Sequence, residues 1–583
     1  MRWELKKPDA NAVRLLCERM GLSRLAAIVL VNRGLSDPAE AETFRNPRLA
    51  GLPSFEGMAG ISEAVGHIAD AVQAREPICI YGDFDADGVT ATSVLVEFFK
   101  SAGYPVHYFI PDRADHGYGF HPHVVERLAE EGVRLVITVD LGITGHEACL
   151  TARRLGVKVV ITDHHEIDAS LPKADAVVDP HQPQCSFHGE DLTGVGIAFF
   201  LAGALRVEFV KRGMASRGDM DIKKLLDLVA IGTIADIAPV TGVNRPLIKT
   251  GLDLLSEEKR PGIAALKKVC GMSKRPVNFG NVAFNLAPRV NAAGRIASGK
   301  TAVELFTTTD PEKAQSLAAD LETFNEKRKQ IEAEVHQTAR KMVADNPHLD
   351  RLKTLVVVGR DWNQGVIGIV AGRIQEEFHR PTIVVSLDGD AGRGSGRSVR
   401  GFDLHEALAS CSKHLEGFGG HQQAAGMTIR AGEIESFMVA FESIARKRIT
   451  PEMMVKVFDV DAWCDLAELD EQTVVQIDSI APFGIGNPKP IFAVKKARVI
   501  FKALIKDAHL KLRLAVGPTA VTAMGWRMAA RYRDVGDYLD LAFTVEMNEF
   551  RGVRNVQLVI VDFKTPGQNG DVGKTEDIPE MES

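Results

Sequence analysis

Cysteine is scarce in this chain: seven among 583 residues (Cys17, Cys79, Cys149, Cys185, Cys270, Cys411 and Cys464), with no Cys-x-x-Cys pair. That scatter fits reduced thiols and argues against a disulfide framework or a cysteine zinc site. No uninterrupted apolar run reaches the ~20 residues that cross a bilayer. The start, Met1 to Asp9, lacks the basic-then-apolar pattern of an export signal. A cytoplasmic protein without a membrane anchor is therefore expected. A positive excess is also missing, since the formal net charge is −7 and the pI is near 6.2. Bulk basicity is the usual footprint of a nucleic-acid binder, so composition argues mildly against one. A carboxylate-rich metal site would push the balance the same way, and a local basic groove can hide inside an acidic total. Internal repeats and low-complexity tracts are absent too.

What is present is ordinary soluble composition, 45% hydrophobic and 25% charged, in a chain long enough for roughly three to five domains. Residues 1–60 read as a helical segment without an obvious sheet. From Ile78 short apolar runs recur between helical stretches: Ile78–Tyr81, Val106–Ile110, Leu135–Val139, Val159–Ile161 and Ala176–Val178. This alternation predicts βαβ units and a parallel sheet within a domain spanning 61–309. Asp310 to Asp345 is nearly free of Gly and Pro and predicts a long connecting helix, 310–350. A second, smaller α/β domain is expected over 351–450, with the glycine-dense stretches GRGSGRS (392–398) and GFGGHQQAAG (417–426). From 451 to 564 five candidate strands suggest a small barrel of the oligonucleotide-binding (OB) type. The tail, 565–583, is rich in Gly, Asp and Glu and reads as disordered.

Within the first α/β segment three clusters of potential ligands close three strands. GDFDADG places Asp83, Asp85 and Asp87 after Ile78–Tyr81; Asp140 closes Leu135–Val139; Asp163, His164 and His165 close Val159–Ile161. In an open parallel sheet that edge is where the active-site crevice forms. Asp236 can supply a fourth arm. Oxygen ligands favour Mg²⁺ or Mn²⁺, and imidazole shifts preference toward a transition metal. A carboxylate shared by two ions would hold them about 3.5–4 Å apart, the spacing used for in-line phosphoryl displacement. A single Asp at a strand end usually caps a turn or helix. An EF-hand reading of DxDxDG fails because position 12, counted from Asp83, is Val94 rather than Glu.

These residues resemble the DHH phosphoesterase family, named for the triplet present as Asp163-His164-His165, and within it the RecJ single-strand exonuclease branch. The matching motifs run in family order: GDFDADGVTAT (82–92), DRADHGYGF (112–120), ITVDLGI (137–143), TDHH (162–165), LTGVGIAF (192–199) and GTIADIAPV (232–240). They continue with APRVNAAGR (287–295), WNQGVIGIVAGRI (362–374), GSGRS (394–398), GGHQQAAG (419–426) and PFGIGNPKPIF (482–492). The resemblance implies Asp85, Asp87, Asp140, His164 and Asp236 as ligands of two divalent cations, Mn²⁺ or Mg²⁺, with Asp140 as the bridge. Asp83 is implied as a ligand or a group just outside. Asp163 is implied to orient a histidine, and His165 to face the scissile phosphate.

Physical reasons support further positions. Arg113, Arg295 and Arg397 can fork onto phosphate oxygens in a way that lysine cannot. Gly392, Gly394 and Gly396, with Ser395 and Ser398, would let the backbone approach phosphates, or form a flexible loop. Tyr118 and Phe120 could stack on bases or belong to the core, and His421 could meet a terminal phosphate. In the barrel, His509, Lys511 and Arg513 alternate with Leu510, Leu512 and Leu514, which puts basic groups on one strand face; Lys495, Lys496, Arg498 and Lys502 add charge nearby. The expected activity is 5′-to-3′ degradation of single-stranded DNA to 5′-mononucleotides, in repair and recombination, alongside a helicase and a single-strand-binding protein. The alternatives are a DHH phosphodiesterase for short oligonucleotides or cyclic dinucleotides, and a non-catalytic DNA-binding scaffold.

Overall fold

The structure, a computed structural model, describes residues 1–566 apart from 113–116, 118, 168–169, 190, 217, 219, 518 and 551–552. The tail expected to be disordered lies almost wholly outside the described residues. The chain forms two compact units, Leu49–Met454 and a second that joins Met1–Arg48 to the segment from Val455 onward. Among the described residues no helix is long and apolar enough to cross a membrane.

In the larger unit, strands β1 (Ile78–Gly82), β2 (His107–Phe109), β3 (Leu135–Val139), β4 (Lys158–Thr162) and β5 (Ala176–Val178) form an all-parallel sheet of order β2-β1-β3-β4-β5. Its central strands are buried at nearly every position because helices cover both faces. Ile78 and Ile80 of β1 pack on one side with helices Ala86–Ser101 and Gly194–Lys211, while Cys79 and Tyr81 pack on the other with Pro122–Glu130 and His146–Leu155. A 34-residue helix follows, Pro311–Ala344, begun by proline in its first turn and by Asp310, whose carboxylate caps Glu312 and Lys313.

A second, mixed sheet has order β9-β10-β8-β7-β6, from β6 (Leu355–Arg360), β7 (Thr382–Asp388), β8 (Ala391–Arg397), β9 (Gly417–Gly420) and β10 (Ala424–Arg430). The GRGSGRS stretch is thus not a loop but lies largely in β8, an interior strand. Gly392, Gly394 and Gly396 serve packing rather than phosphate approach. A Cβ at these positions would stand 2.8–2.9 Å from Ile429 O, Met427 Cγ and Leu404 Cδ2 respectively. Ser398 is likewise buried and donates to Phe402 O at 2.6 Å.

In the other unit, strands Phe492–Ile505, His509–Val516, Thr519–Gly525, Tyr538–Phe550 and Val553–Lys564 close into a barrel. The first strand pairs with the fourth, and the third with the fifth. The N-terminal segment is not purely helical. Arg2–Leu5 is a strand paired in parallel with Val457–Val460, and Trp3 is buried against Phe458 and Trp463. Helices Ala10–Met20 and Arg24–Val31 share the barrel's apolar core. A four-residue strand whose partner lies at Val457 leaves no local periodicity to read.

Candidate active site

The carboxyl edge of the parallel sheet gathers the acidic and imidazole clusters. Asp83 follows β1 and is buried. Asp85 is the N-cap of Ala86–Ser101, its Oδ1 accepting from Asp87 N at 2.9 Å and Gly88 N at 3.1 Å. Asp87 lies at the first turn of that helix and points at the start of another: its carboxylate accepts from Gly194 N (2.7 Å) and Val195 N (2.9 Å). Two backbone donors at a helix N-terminus hold a carboxylate in one orientation. The approach requires glycine: a Cβ on Gly194 would stand 2.5 Å from Asp140 Cβ, and one on Gly232 would stand 2.8 Å from Asp87 Oδ1. The LTGVGIAF and GTIADIAPV motifs therefore pack the floor of the site.

Asp140 follows β3 in the left-handed region, at φ 63°. That conformation is rare outside glycine and marks stored strain. Its buried Oδ1 is 3.0 Å from His164 Nε2 but has no hydrogen-bonded partner among the described residues. His164 Nε2 also stands 3.8 Å from both Asp87 Oδ2 and Asp236 Oδ2. Asp163 is an organiser: Oδ1 accepts from the backbone of His164 (2.8 Å) and His165 (3.2 Å), and meets His165 Nδ1 at 2.7 Å. Oδ2 accepts from Ile143 N at 2.9 Å.

Three triplets each keep their ligand atoms within 4.8 Å: Asp83, Asp85 and Asp140; Asp87, His164 and Asp236; Asp140, His164 and His165. Asp140 belongs to two of them. A buried carboxylate oxygen without a hydrogen bond, amid oxygen donors and one imidazole, fits a pair of hard divalent cations.

Without cations the site resists its own charge. Burial, reinforced by Asp85, pushes Asp87 up to about 7. Asp236 keeps a third of its side chain exposed, yet loss of hydration in the crevice, reinforced by Asp87 and Asp85, pushes it up to about 8. Asp140 is driven well above the usual carboxylate range by burial and then by Asp87. The two histidines diverge. Burial, then the neighbouring His165, brings His164 down to about 4, which suits a neutral ligand. Burial works against charge on His165 too, but the Asp163 hydrogen bond and charge outweigh it and raise the ring to about 9.

Other predicted residues are placed as follows. Arg295 ends helix Ala287–Ile296 and donates to Gly365 O at 2.5 Å, ahead of helix Ile367–Phe378. Ser395 and Arg397 reach the same helix start. A Cβ on Gly368 would be 2.9 Å from Ser395 Oγ and 3.4 Å from Arg397 Nη2. Two arginines, a hydroxyl and a helix N-terminus thus converge, the make-up of an anion site. His421 is exposed and its imidazole is close enough to help depress His164. Phe120 is core, edge-on to Tyr81 at 5.2 Å, and is not a base platform. Arg113 and Tyr118 lie outside the described residues. In the barrel, Leu510, Leu512 and Leu514 are fully buried while Arg513 is exposed and His509 and Lys511 are half-buried.

Two contributors were not legible beforehand. Asn291 Oδ1 accepts from Ala86 N at 2.8 Å and steadies the aspartate loop; it stands inside APRVNAAGR, where the arginine drew attention. Trp526, 51% exposed, lies edge-on to His509 at 5.0 Å and offers an aromatic face beside the basic strand.

Residues 77–233 match the DHH family N-terminal domain, 351–447 the DHHA1 domain and 460–562 the RecJ OB domain. The chain is 35% identical over 568 residues to the single-stranded-DNA-specific exonuclease RecJ of Bacillus subtilis, covering 96% of this chain and 70% of that protein. It is also 35% identical over 566 residues to the RecJ of Dickeya dadantii, covering 92% and 96%. Crystal structures of RecJ from Thermus thermophilus are similar throughout. The Mn²⁺ complex superposes with a TM-score of 0.83 at 29% identity, over 97% of this chain and 80% of that one. The Mg²⁺ complex gives 0.77 at 28% identity, over 97% and 78%.

Proposed function

Because the chain belongs to the RecJ single-stranded-DNA-specific exonucleases of the DHH family, we propose that it removes 5′-mononucleotides from the 5′ end of single-stranded DNA. It is a metal-dependent hydrolase whose cofactors are two divalent cations, Mn²⁺ or Mg²⁺. The observation that carries the reading is Asp140, which shares a ligand triplet with Asp83 and Asp85, stands 3.0 Å from His164 of the Asp87/His164/Asp236 triplet, and bears a buried oxygen without a hydrogen bond among the described residues.

Asp83, Asp85 and Asp140 would hold one cation, and Asp87, His164 and Asp236, with Asp140 shared, the other. Bound cations supply positive charge to the phosphoryl oxygens and ease deprotonation of the attacking water. His164 stays neutral, as a ligand must. His165, kept protonated by Asp163, donates to a phosphoryl oxygen as charge develops there. Arg295, Ser395, Arg397 and His421 bind the 5′ phosphate, whose extra charge distinguishes an end from an internal diester. Segment 61–309 then carries the chemistry and 351–450 the end pocket, while 451–564 guides the strand over His509, Lys511 and Arg513. Arg113 and Tyr118 belong to the same path. The enzyme works in the cytoplasm on repair and recombination intermediates, where a helicase and a single-strand-binding protein supply and cover its substrate.

Three substrates test this: a free single strand, a strand blocked at its 5′ end, and a blunt duplex. Digestion of the first alone is expected; shortening from the 3′ end or rapid loss of the duplex contradicts it. The barrel disfavours the rival reading, a phosphodiesterase for short oligonucleotides or cyclic dinucleotides, which would need no strand guide.

A further inference from the structure

The strands β4 and β5 end in the same way. They pair in parallel with Thr162 opposite Val178, and Asp163 N donates to Val178 O at 3.1 Å, so Asp163 and Asp179 stand side by side at the sheet edge. Each aspartate uses Oδ1 to grip the residue two positions on, which is histidine in both cases. Asp163 Oδ1 takes His165 N at 3.2 Å and meets Nδ1 at 2.7 Å. Asp179 Oδ1 takes His181 N at 2.8 Å and meets Nδ1 at 3.2 Å. The sheet therefore presents two imidazoles built on one plan, on strands about 4.8 Å apart.

A turn alone does not need this arrangement. An asparagine would make the same backbone contact without a charge. Asp179 is instead a carboxylate with 0% exposure whose Oδ2 has no hydrogen-bonded partner among the described residues. Such burial is costly unless a cation answers it. The His181 ring stands against this carboxylate at 3.2 Å, and its side chain remains 33% exposed. Asp163, next to Asp179 at this edge, also holds the backbone of His164, so the His181 turn borders the reactive centre. With Nδ1 held by the carboxylate the ring keeps one orientation and Nε2 points away from Asp179, and an imidazole protonated at both nitrogens would donate from Nε2 to an anion.

We infer that His181 is a second imidazole that contacts the DNA phosphate backbone beside His165, at the linkage next to the scissile one, and that Asp179 is its positioning residue. This rests on the proposed hydrolysis of single-stranded DNA at this site. Its reach is one phosphate along the strand from the ring that Asp163 holds.

The test uses 5′-phosphorylated single-stranded 20-mers carrying one neutral methylphosphonate at the first, second or third linkage, with full-length enzyme in Mn²⁺. Wild type on the unmodified strand is the control: no hydrolysis there would refute the exonuclease reading itself. His181→Ala should lower kcat/KM about tenfold while bound Mn²⁺ and Tm stay at wild-type values. Neutralising the linkage next to the scissile one should slow wild type but leave His181→Ala unaffected; Asp179→Asn should lose part of that sensitivity and His181→Gln, which keeps a donor, should recover part. A wild-type rate for His181→Ala, an unchanged methylphosphonate profile, or loss of Mn²⁺ or of several degrees in Tm would overturn the inference.

Discussion

His165 Nδ1 lies 2.7 Å from Asp163 Oδ1, and Asp163 is itself fixed by the backbone N–H groups of Ile143, His164 and His165. The carboxylate therefore sets both the direction of the ring and its affinity for a proton. Activity that needs protonated His165 should persist up to about pH 9 and fall above it. In Asp163→Asn the charge is lost, so this basic limb should move down toward the ordinary histidine value of about 6.5. His165→Ala should lower kcat by roughly 10²–10⁴-fold, within the range for a lost charge-stabilising or proton-donating group, and keep its metal. Metal analysis beside pH–rate profiles checks both; loss of metal from His165→Ala would mean that the two histidine roles are exchanged.

The carboxylates make stability depend on pH in a direction that cations reverse. Asp236 and Asp87 have folded-state values of about 8 and about 7, above those of an unfolded chain. Each binds its proton more tightly when folded, so the metal-free protein gains stability as pH falls through those values. Its Tm should be higher at pH 6.5 than at pH 8.5. Below about 6.5 the gain is opposed by His164, whose ring resists protonation in the fold. Cations need the same oxygens deprotonated, so Mn²⁺ should raise Tm most at pH 8.5. Calorimetry at both pH values, with chelator or with Mn²⁺, decides this.

The barrel should bind strands by charge and by stacking. Lys511→Ala and Arg513→Ala should each reduce the salt dependence of binding by about one in the log–log slope. Trp526→Ala should cost about 1–3 kcal/mol, the usual worth of one stacked base. Cleavage of very short oligonucleotides should change much less. Titration of a 40-mer at several salt concentrations checks this, and unaltered affinity in all three variants would remove this face from the DNA path.

Much of the catalytic half was legible because its physics is local. β1, β3 and β4 are covered on both faces and so read as short, mostly apolar runs, each followed by the acidic or imidazole residues that meet at the sheet edge. Pro311–Ala344 was legible because it is nearly free of Gly and Pro. The illegible parts depend on distant partners. β8 read as a phosphate-approaching stretch or a flexible loop because glycine disfavours strands in isolation, yet its alternate glycines are what admit Ile429, Met427 and Leu404. Arg2–Leu5 gave no signal because its partner strand starts at Val457. His181 belongs to none of the motifs, and its relation to Asp179 gains meaning only with β4 and β5 in register.

Asp140 carries the central claim, since among the described residues it is the carboxylate that two ligand triplets share. The direct measurement is bound Mn²⁺ per chain together with hydrolysis of a labelled single-stranded 60-mer, for wild type and Asp140→Ala, with folding verified by Tm. Wild type should bind two ions and shorten the strand. Asp140→Ala should lose both ions and show no detectable turnover, because removing the shared carboxylate dismantles two sites at once. Normal turnover by a folded Asp140→Ala protein would contradict the account.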